Sequence, residues 1–176
     1  DVIVVGGGAS GFFTAINLAE QQPNLRIAIL ERSNEVLSKV KISGGGRCNV
    51  THACFIPNVL TKFYPRGERE LRGPFHAFCT GDVMEWFSER GVSLKIEEDG
   101  RVFPESDSSQ TIIDCFLDEA ENFDIKIIKQ TIVQQLSKEG DFWKIETSKD
   151  TFQAKQLVMA TGSNVKIWDM LKMVNH

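Results

Sequence analysis

The sequence predicts an α/β fold built on a parallel sheet, with a β-meander forming one crossover. Three observations lead there. Residues 1–5 form a β-branched run that meets Gly6-Gly7-Gly8 at once, and a helical pattern follows over residues 9–22. Residues 26–31 form a second apolar run, so the opening segment has the size of one βαβ unit, roughly 30 residues. Three short alternating runs at 131–137, 142–147 and 151–154 then precede a last apolar run at 157–160.

Each element has its own local reason. Residues 1–5 are apolar at nearly every position, as a strand buried on both faces requires. Phe12, Ile16 and Ala19 repeat at i, i+4, i+7, and Pro23 lies just past the expected helix end. Residues 39–51 read as a glycine-rich loop. Residues 55–77 mix charges with three of the five prolines and read as irregular, with short helices. Thr80 is placed to cap a helix reaching Arg90, stopped by Gly91. Residues 94–96 and 101–103 suit a hairpin across Glu98-Asp99-Gly100. Ser108 or Ser109 caps a helix whose apolar face is Ile112, Ile113, Phe116, Leu117 and Ala120. Residues 125–128 form a strand. The meander turns at Glu139-Gly140-Asp141 and Ser148-Lys149-Asp150, and residues 165–174 form an amphipathic helix presenting Val165, Trp168 and Leu171, with Ile167 and Met170 nearby.

Composition narrows the function classes. The chain has 176 residues, 41% apolar and 25% charged, with a net charge of −4, which excludes a disordered or collagen-like polypeptide. A mildly acidic balance carries no basic stripe for nucleic acid. Cys48, Cys54, Cys79 and Cys115 contain no C-x-x-C pair, so neither a zinc ribbon nor a thioredoxin-type motif is expected, and no metal site is assigned. A reducing cytoplasm is the expected compartment. Residues 2–19 lack charge, but four glycines with Ser10, Thr14 and Asn17 make them a poor membrane span, and no basic leader precedes them. Asn49-Val50-Thr51 matches a glycosylation sequon by chance. The chain lacks an initiator Met and its last helix stops abruptly, so a longer protein is expected.

The chemistry is concentrated in Gly6-Gly7-Gly8-Ala9-Ser10-Gly11, a G-x-G-x-x-G placed after a strand and opening a helix. Glu31 lies 20 residues beyond Gly11 at the end of the second strand, where a ribose-binding carboxylate belongs. Gly6 permits the tight turn, Gly8 lets a pyrophosphate approach the backbone, and Gly11 lets helix and strand pack closely. The helix N-terminus offers N–H groups and about half a positive charge to the phosphates. Glu31 would repel a 2′-phosphate. A Walker A loop is excluded because Phe12 and Phe13, not Lys and Ser or Thr, follow Gly11. This pattern alone leaves FAD and NAD equally open.

Two later stretches add to it. Residues 41–51 (Lys-Ile-Ser-Gly-Gly-Gly-Arg-Cys-Asn-Val-Thr) could aim backbone N–H groups at an anionic or polar ligand, and Ala160-Thr161-Gly162 offers small residues at a strand end. Gly-Gly-Gly-Arg-Cys-Asn-Val-Thr at 44–51, after the fingerprint, resembles the BaiN/YhiN-like family of NAD(P)/FAD-dependent flavoproteins. Gly100-Arg101-Val102-Phe103-Pro104-Glu105-Ser106 resembles another family segment, and Ala160-Thr161-Gly162 fits, although Ser163 stands where many members have glycine. The resemblance spans essentially the whole chain. It implies a Rossmann-like FAD-binding domain of the glutathione-reductase type, one domain over 1–176, with an inserted substrate-side domain and a closing FAD segment beyond His176. It implies that Gly6, Gly8 and Gly11 hold the pyrophosphate and Glu31 the adenosine ribose, with Ala9, Ser10 and Arg32 also among the cofactor-binding residues. Backbone near Val133 would meet the adenine. Gly45, Gly46, Arg47 and Cys48 would line the flavin side, with Ala160, Thr161 and Gly162 completing the cofactor site. No catalytic residue carries over.

Other reactive residues are weighed on their surroundings. Cys48 reads as a small packing residue more than as a redox thiol. Arg47 reads as a charge for phosphate or reduced flavin, against a structural clamp on its loop. Lys39 and Lys41 read as solvated. His52 could exchange a proton, while His76 and His176 show no ligand spacing. Arg66, Arg69 and Arg72 alternate with Glu68 and Glu70 as a solvated face. Trp86, Trp143 and Trp168 read as core. The expected function is hydride transfer through FAD, from NAD(P)H to a small organic substrate, without nucleic acid or membrane. The alternatives are an NAD-dependent dehydrogenase and a non-catalytic FAD-binding module.

Overall fold

The computed structural model describes residues 1–173. The chain opens with β1 (Val2–Val5), α1 (Ala9–Gln21) and β2 (Ile27–Leu30). Then come α2 (Ser38–Ile42), a 3₁₀ turn (Ser43–Gly46), β3 (Thr51–His52), α3 (Pro57–Leu60), a second 3₁₀ turn (Thr61–Phe63) and α4 (Glu68–Ala77). α5 (Thr80–Glu89), β4 (Leu94–Ile96) and β5 (Arg101–Pro104) follow, and then α6 (Ser109–Asn122) and β6 (Lys126–Ile128). The meander is β7 (Val133–Glu139), β8 (Phe142–Thr147) and β9 (Thr151–Ala154), leading into β10 (Gln156–Met159) and α7 (Val165–Met173). These elements form two compact units, residues 1–39 with the chain from Phe116 onward, and residues 40–115.

In the first unit β10, β1, β2 and β6 lie side by side in that order, all parallel. Val5 stands level with both Met159 and Leu30. All four residues of β1 are buried, as a central parallel strand with both faces covered demands. The strand's two-residue period divides its side chains. Ile3 and Val5 join a core with Val133, Leu136, Ile145 and Ala154 of the meander and Ile167 of α7. A Cβ at Gly11, in α1, would lie 3.5 Å from Val4 Cγ1, which sets α1 against the alternate face. Phe12, Ala15, Ile16 and Ala19 are the buried stripe of α1, and the Phe12 ring lies 6.0 Å from that of Phe116.

In the second unit β3, β5 and β4 form an antiparallel sheet. The expected hairpin turns through Gly100 at φ +82°, and Val102 and Phe103 are fully buried. The segment expected to be irregular is the run of short helices from α3 to α4, and α4 buries no residue.

Three expectations need correction. Cys79, not Thr80, is the residue before the first turn of α5, and its N–H donates to Asp82 Oδ2 at 2.6 Å. Thr80 is the first residue of the helix, and its hydroxyl donates to the His52 carbonyl at 2.8 Å rather than capping. α7 turns Ile167, Met170 and Leu171 to the core, leaving Val165 and Trp168 exposed. Trp168 is therefore not a core residue; at 100° per residue it falls on the flank of that face. Trp143 packs on the core and Trp86 is buried. Val174 and His176 lie outside the described residues.

Candidate dinucleotide-binding site

The carboxyl ends of β10, β1 and β2 open together in the first unit. Gly6 N–H donates to the Leu30 carbonyl and Ala160 N–H donates to that of Val5, both at 2.8 Å. In open α/β sheets this is the edge where ligands bind. The turn leaving β1 is sterically forced. Gly6 has φ +114°, and a Cβ there would stand 2.4 Å from the Ala160 carbonyl oxygen. A Cβ at Gly11 would stand 2.0 Å from the Gly6 carbonyl oxygen. At Gly8 a Cβ would meet nothing within 4 Å. The first two glycines are packed against backbone, whereas the third faces open space.

Gly8 is also the residue before α1. No side chain caps that helix, and its first turn carries no acid. The first-turn N–H groups have no intrahelical acceptor, so thirteen residues of aligned peptide dipoles end at the open position. Ala9 and Ser10 are exposed there.

Glu31 is bound into the turn. Its Oε2 accepts from Gly7 N–H and its Oε1 from Ser33 N–H, each at 2.8 Å. Each oxygen keeps a lone pair, so the carboxylate is held in one orientation without being saturated. Leu37 N–H donates to the Gly7 carbonyl at 2.7 Å, fixing the turn from its other side. Arg32 is exposed. Thr131 N–H donates to the Glu31 carbonyl at 2.9 Å and Gln130 N–H to that of Ser33 at 3.0 Å. These bonds seat the backbone leading to Val133 beside the end of β2, while the Val133 side chain lies in the core. Beyond β10, Gly162 takes φ +59°, and a Cβ there would come 3.4 Å from Lys39 Nζ. One cation thus borders this edge.

The other predicted site residues lie in the second unit. Gly44 and Gly45 adopt left-handed backbone, and a Cβ at Gly44 would strike the Phe103 ring at 2.7 Å. Arg47 stacks on the same ring, 3.9 Å from its centroid. Its guanidinium donates to Glu97 at 2.5 Å and to Asp107 at 3.4 Å. The hydrogen bond that Arg47 donates to Glu97 raises the Arg47 pKa further. Lys95 bonds Asp107 and, with Arg47, holds that carboxyl below the usual range. This is the clamp arrangement, with the charge of Arg47 committed to two carboxylates. Cys48 is only 6% exposed, and burial pushes its thiol up, away from the reactive thiolate. The His52 ring stacks on Phe63 with centroids 4.1 Å apart. Among the described residues no group of acids, histidines and cysteines is placed to hold a metal.

The family described as HI0933-like protein Rossmann domain matches residues 1–167. The chain belongs to this family. Its Rossmann-type fold, with the glycine turn at the open edge of a parallel sheet, is the one that membership requires. Among curated relatives, a 3-dehydro-bile acid delta(4,6)-reductase of Clostridium scindens is 25% identical over 90% of this chain and 38% of its own length. A ribosomal RNA dihydrouridine synthase of Escherichia coli is 25% identical over 92% of this chain and 39% of its own. The chain thus spans about two fifths of each relative. The 3-ketosteroid-delta4-(5alpha)-dehydrogenase of Rhodococcus jostii RHA1 superposes with a TM-score of 0.68 at 16% identity, covering 96% of this chain and 47% of that one. THI4 of Thermovibrio ammonificans superposes with a TM-score of 0.64 at 16% identity, over 98% and 61%. Both likenesses are of fold.

Sequence reasoning missed the partners more than the residues. The bonds of Glu31 to Gly7 and Ser33, and those of Arg47 to Glu97 and Asp107, have no local motif. The partners of Arg47 stand 50 and 60 residues away in the chain. The weak available signal was the acid-rich stretch flanking residues 100–106, which the hairpin folds back on its own basic residues.

Proposed function

We propose that the turn after β1 binds the pyrophosphate of FAD, and that the protein is a flavin-dependent oxidoreductase. It would pass reducing equivalents from NAD(P)H to a small organic substrate in the cytoplasm. The observation that carries this reading is the unequal setting of three glycines. Two are packed against backbone, and Gly8 alone opens at an uncapped helix N-terminus. Bound FAD supplies hydride acceptance and donation. The chain supplies first-turn N–H groups for the phosphates and a carboxylate at Glu31, pre-oriented for ribose hydroxyls. It also supplies backbone near Val133 for the adenine. Gly45, Gly46, Arg47 and Cys48 are proposed on the flavin side. There Arg47 acts by holding the loop, since its charge is already paired.

The same turn suits NAD. The meander between β6 and β10 favours FAD, because a dehydrogenase of the other kind usually continues with βαβ units. The net charge of −4 favours a small substrate. A second reading takes ribosomal RNA as the acceptor, since that relative matches at the same 25% identity as the bile acid reductase. The deciding experiment is a visible absorption spectrum of the full-length protein after incubation with FAD and desalting. Retained flavin bands are expected. A colourless protein that binds NAD by titration calorimetry overturns the proposal. With flavin in place, NADH oxidation is then followed with a panel of enones and, separately, with unmodified ribosomal RNA.

A further inference from the structure

The second unit holds four cysteines, and two of them, Cys54 and Cys79, are half-buried thiols that the glycine-turn site does not use. Cys54 follows β3 and Cys79 precedes α5, with 24 residues between them. The fold brings these distant positions side by side. Thr80 Oγ1 donates to the His52 carbonyl at 2.8 Å and lies 3.5 Å from Thr51 Oγ1. Cys79 Sγ lies 3.9 Å from the carbonyl oxygen of Cys54. Cys54 Sγ is turned to the Ile56 carbonyl, 3.8 Å away. That contact is weak, and rotation about χ1 releases it. Both residues are thiols and half-buried, whereas Cys48 and Cys115 are buried. The chain between them carries α3 and α4 and exposes Phe55, Ile56, Val59 and Phe63.

We propose that Cys54 and Cys79 are a modification site, forming a reversible disulfide on reaction with a peroxide and pinning both ends of the 55–78 excursion. One thiolate attacks the peroxide, breaking its O–O bond, and becomes a sulfenic acid while the peroxide leaves as an alcohol or water. The second thiolate attacks that sulfur and expels hydroxide, which leaves as water. The two thiols together lose two protons and two electrons, and the peroxide accepts both electrons. A dithiol such as thioredoxin's returns them by exchange. The 3.9 Å contact of Cys79 Sγ with the Cys54 carbonyl oxygen makes the two residues neighbours in space, which is the first requirement of a disulfide.

The test uses the full-length protein, reduced, desalted, treated with hydrogen peroxide and digested with trypsin without reductant. Peptides 48–62 and 73–90 are expected as one linked species about 2 Da below their summed mass, released by dithiothreitol. Fragment ions must assign the bond to Cys54, because Cys48 shares its peptide. Cys54→Ser should abolish the linked species. Closing a loop of this length removes backbone freedom, so limited proteolysis within 55–78 should slow several-fold in the oxidised form and recover on reduction. Cys54 and Cys79 recovered as separate oxidised adducts, or still alkylatable after peroxide, overturn the proposal. Equal proteolysis of both forms overturns the pinning.

Discussion

A methyl group at Gly11 would stand 2.0 Å from one carbonyl oxygen and one at Gly6 would stand 2.4 Å from another, while one at Gly8 would touch nothing. These distances separate two kinds of failure. Gly11→Ala must push α1 off β1, and a loss of about 3 kcal/mol is expected, read as a lower urea midpoint. Gly8→Val meets no obstacle in the protein. It gives up a favourable residue before the helix, so it should fold with a loss of under about 1 kcal/mol. Its isopropyl group nevertheless fills the approach to the first-turn N–H groups, so it should lose FAD retention on desalting. If Gly8→Val keeps its flavin, the turn is not the pyrophosphate site. Glu31→Ala should act both ways, because it leaves the Gly7 and Ser33 N–H groups without acceptors and removes the carboxylate proposed for the ribose.

Among elements, α7 offers the plainest contrast. Ile167→Ala empties a core position and should cost about 3 kcal/mol, whereas Trp168→Ala removes an exposed ring and should cost under about 0.5 kcal/mol. Paired denaturation curves check both. The reason the sequence misleads here also shows what it can convey. Periodicity marked a helix, and its start was right, but Val165, Trp168 and Leu171 also repeat at helical spacing. Only the partner surface decides which stripe is covered. The strand–glycine–helix–strand opening was legible because each part is a local signal: β-branching, backbone freedom, the 3.6-residue period. The meander was legible from its turns. α2, β3 and the 3₁₀ turn of Ser43–Gly46 were not, since a glycine run supplies no pattern and β3 exists only by pairing with β5. The same limit applies to Arg47. Its charge suggested a ligand, and only the folded hairpin supplies Glu97, Asp107 and the Phe103 ring that engage it.

At the scale of the whole molecule, pH and cofactor should act on stability in separate ways. Lys95 and Arg47 depress the Asp107 pKa, and the Arg101 backbone N–H depresses that of Asp99. Carboxyls lowered in the folded state stabilise it above their unfolded value, about 3.9, and that contribution disappears as pH falls through their folded values. The thermal midpoint should therefore hold between neutral pH and about 5 and decline below about 4, less steeply in Asp107→Asn and in high salt. Added FAD should raise the midpoint, because it adds stability with the logarithm of its free concentration, about 2.7 kcal/mol at a hundred times its dissociation constant. The sheet order carries one further consequence. β10 lies against β1, so β1 is completed by a strand that is made much later in the chain, Val5 pairing with Met159. At ~5–20 residues per second, a ribosome delivers Ala160 roughly ten seconds after Gly11. Until then the fingerprint turn lacks the backbone it packs against. A nascent polypeptide therefore cannot hold the proposed nucleotide at this turn before β10 has joined the sheet.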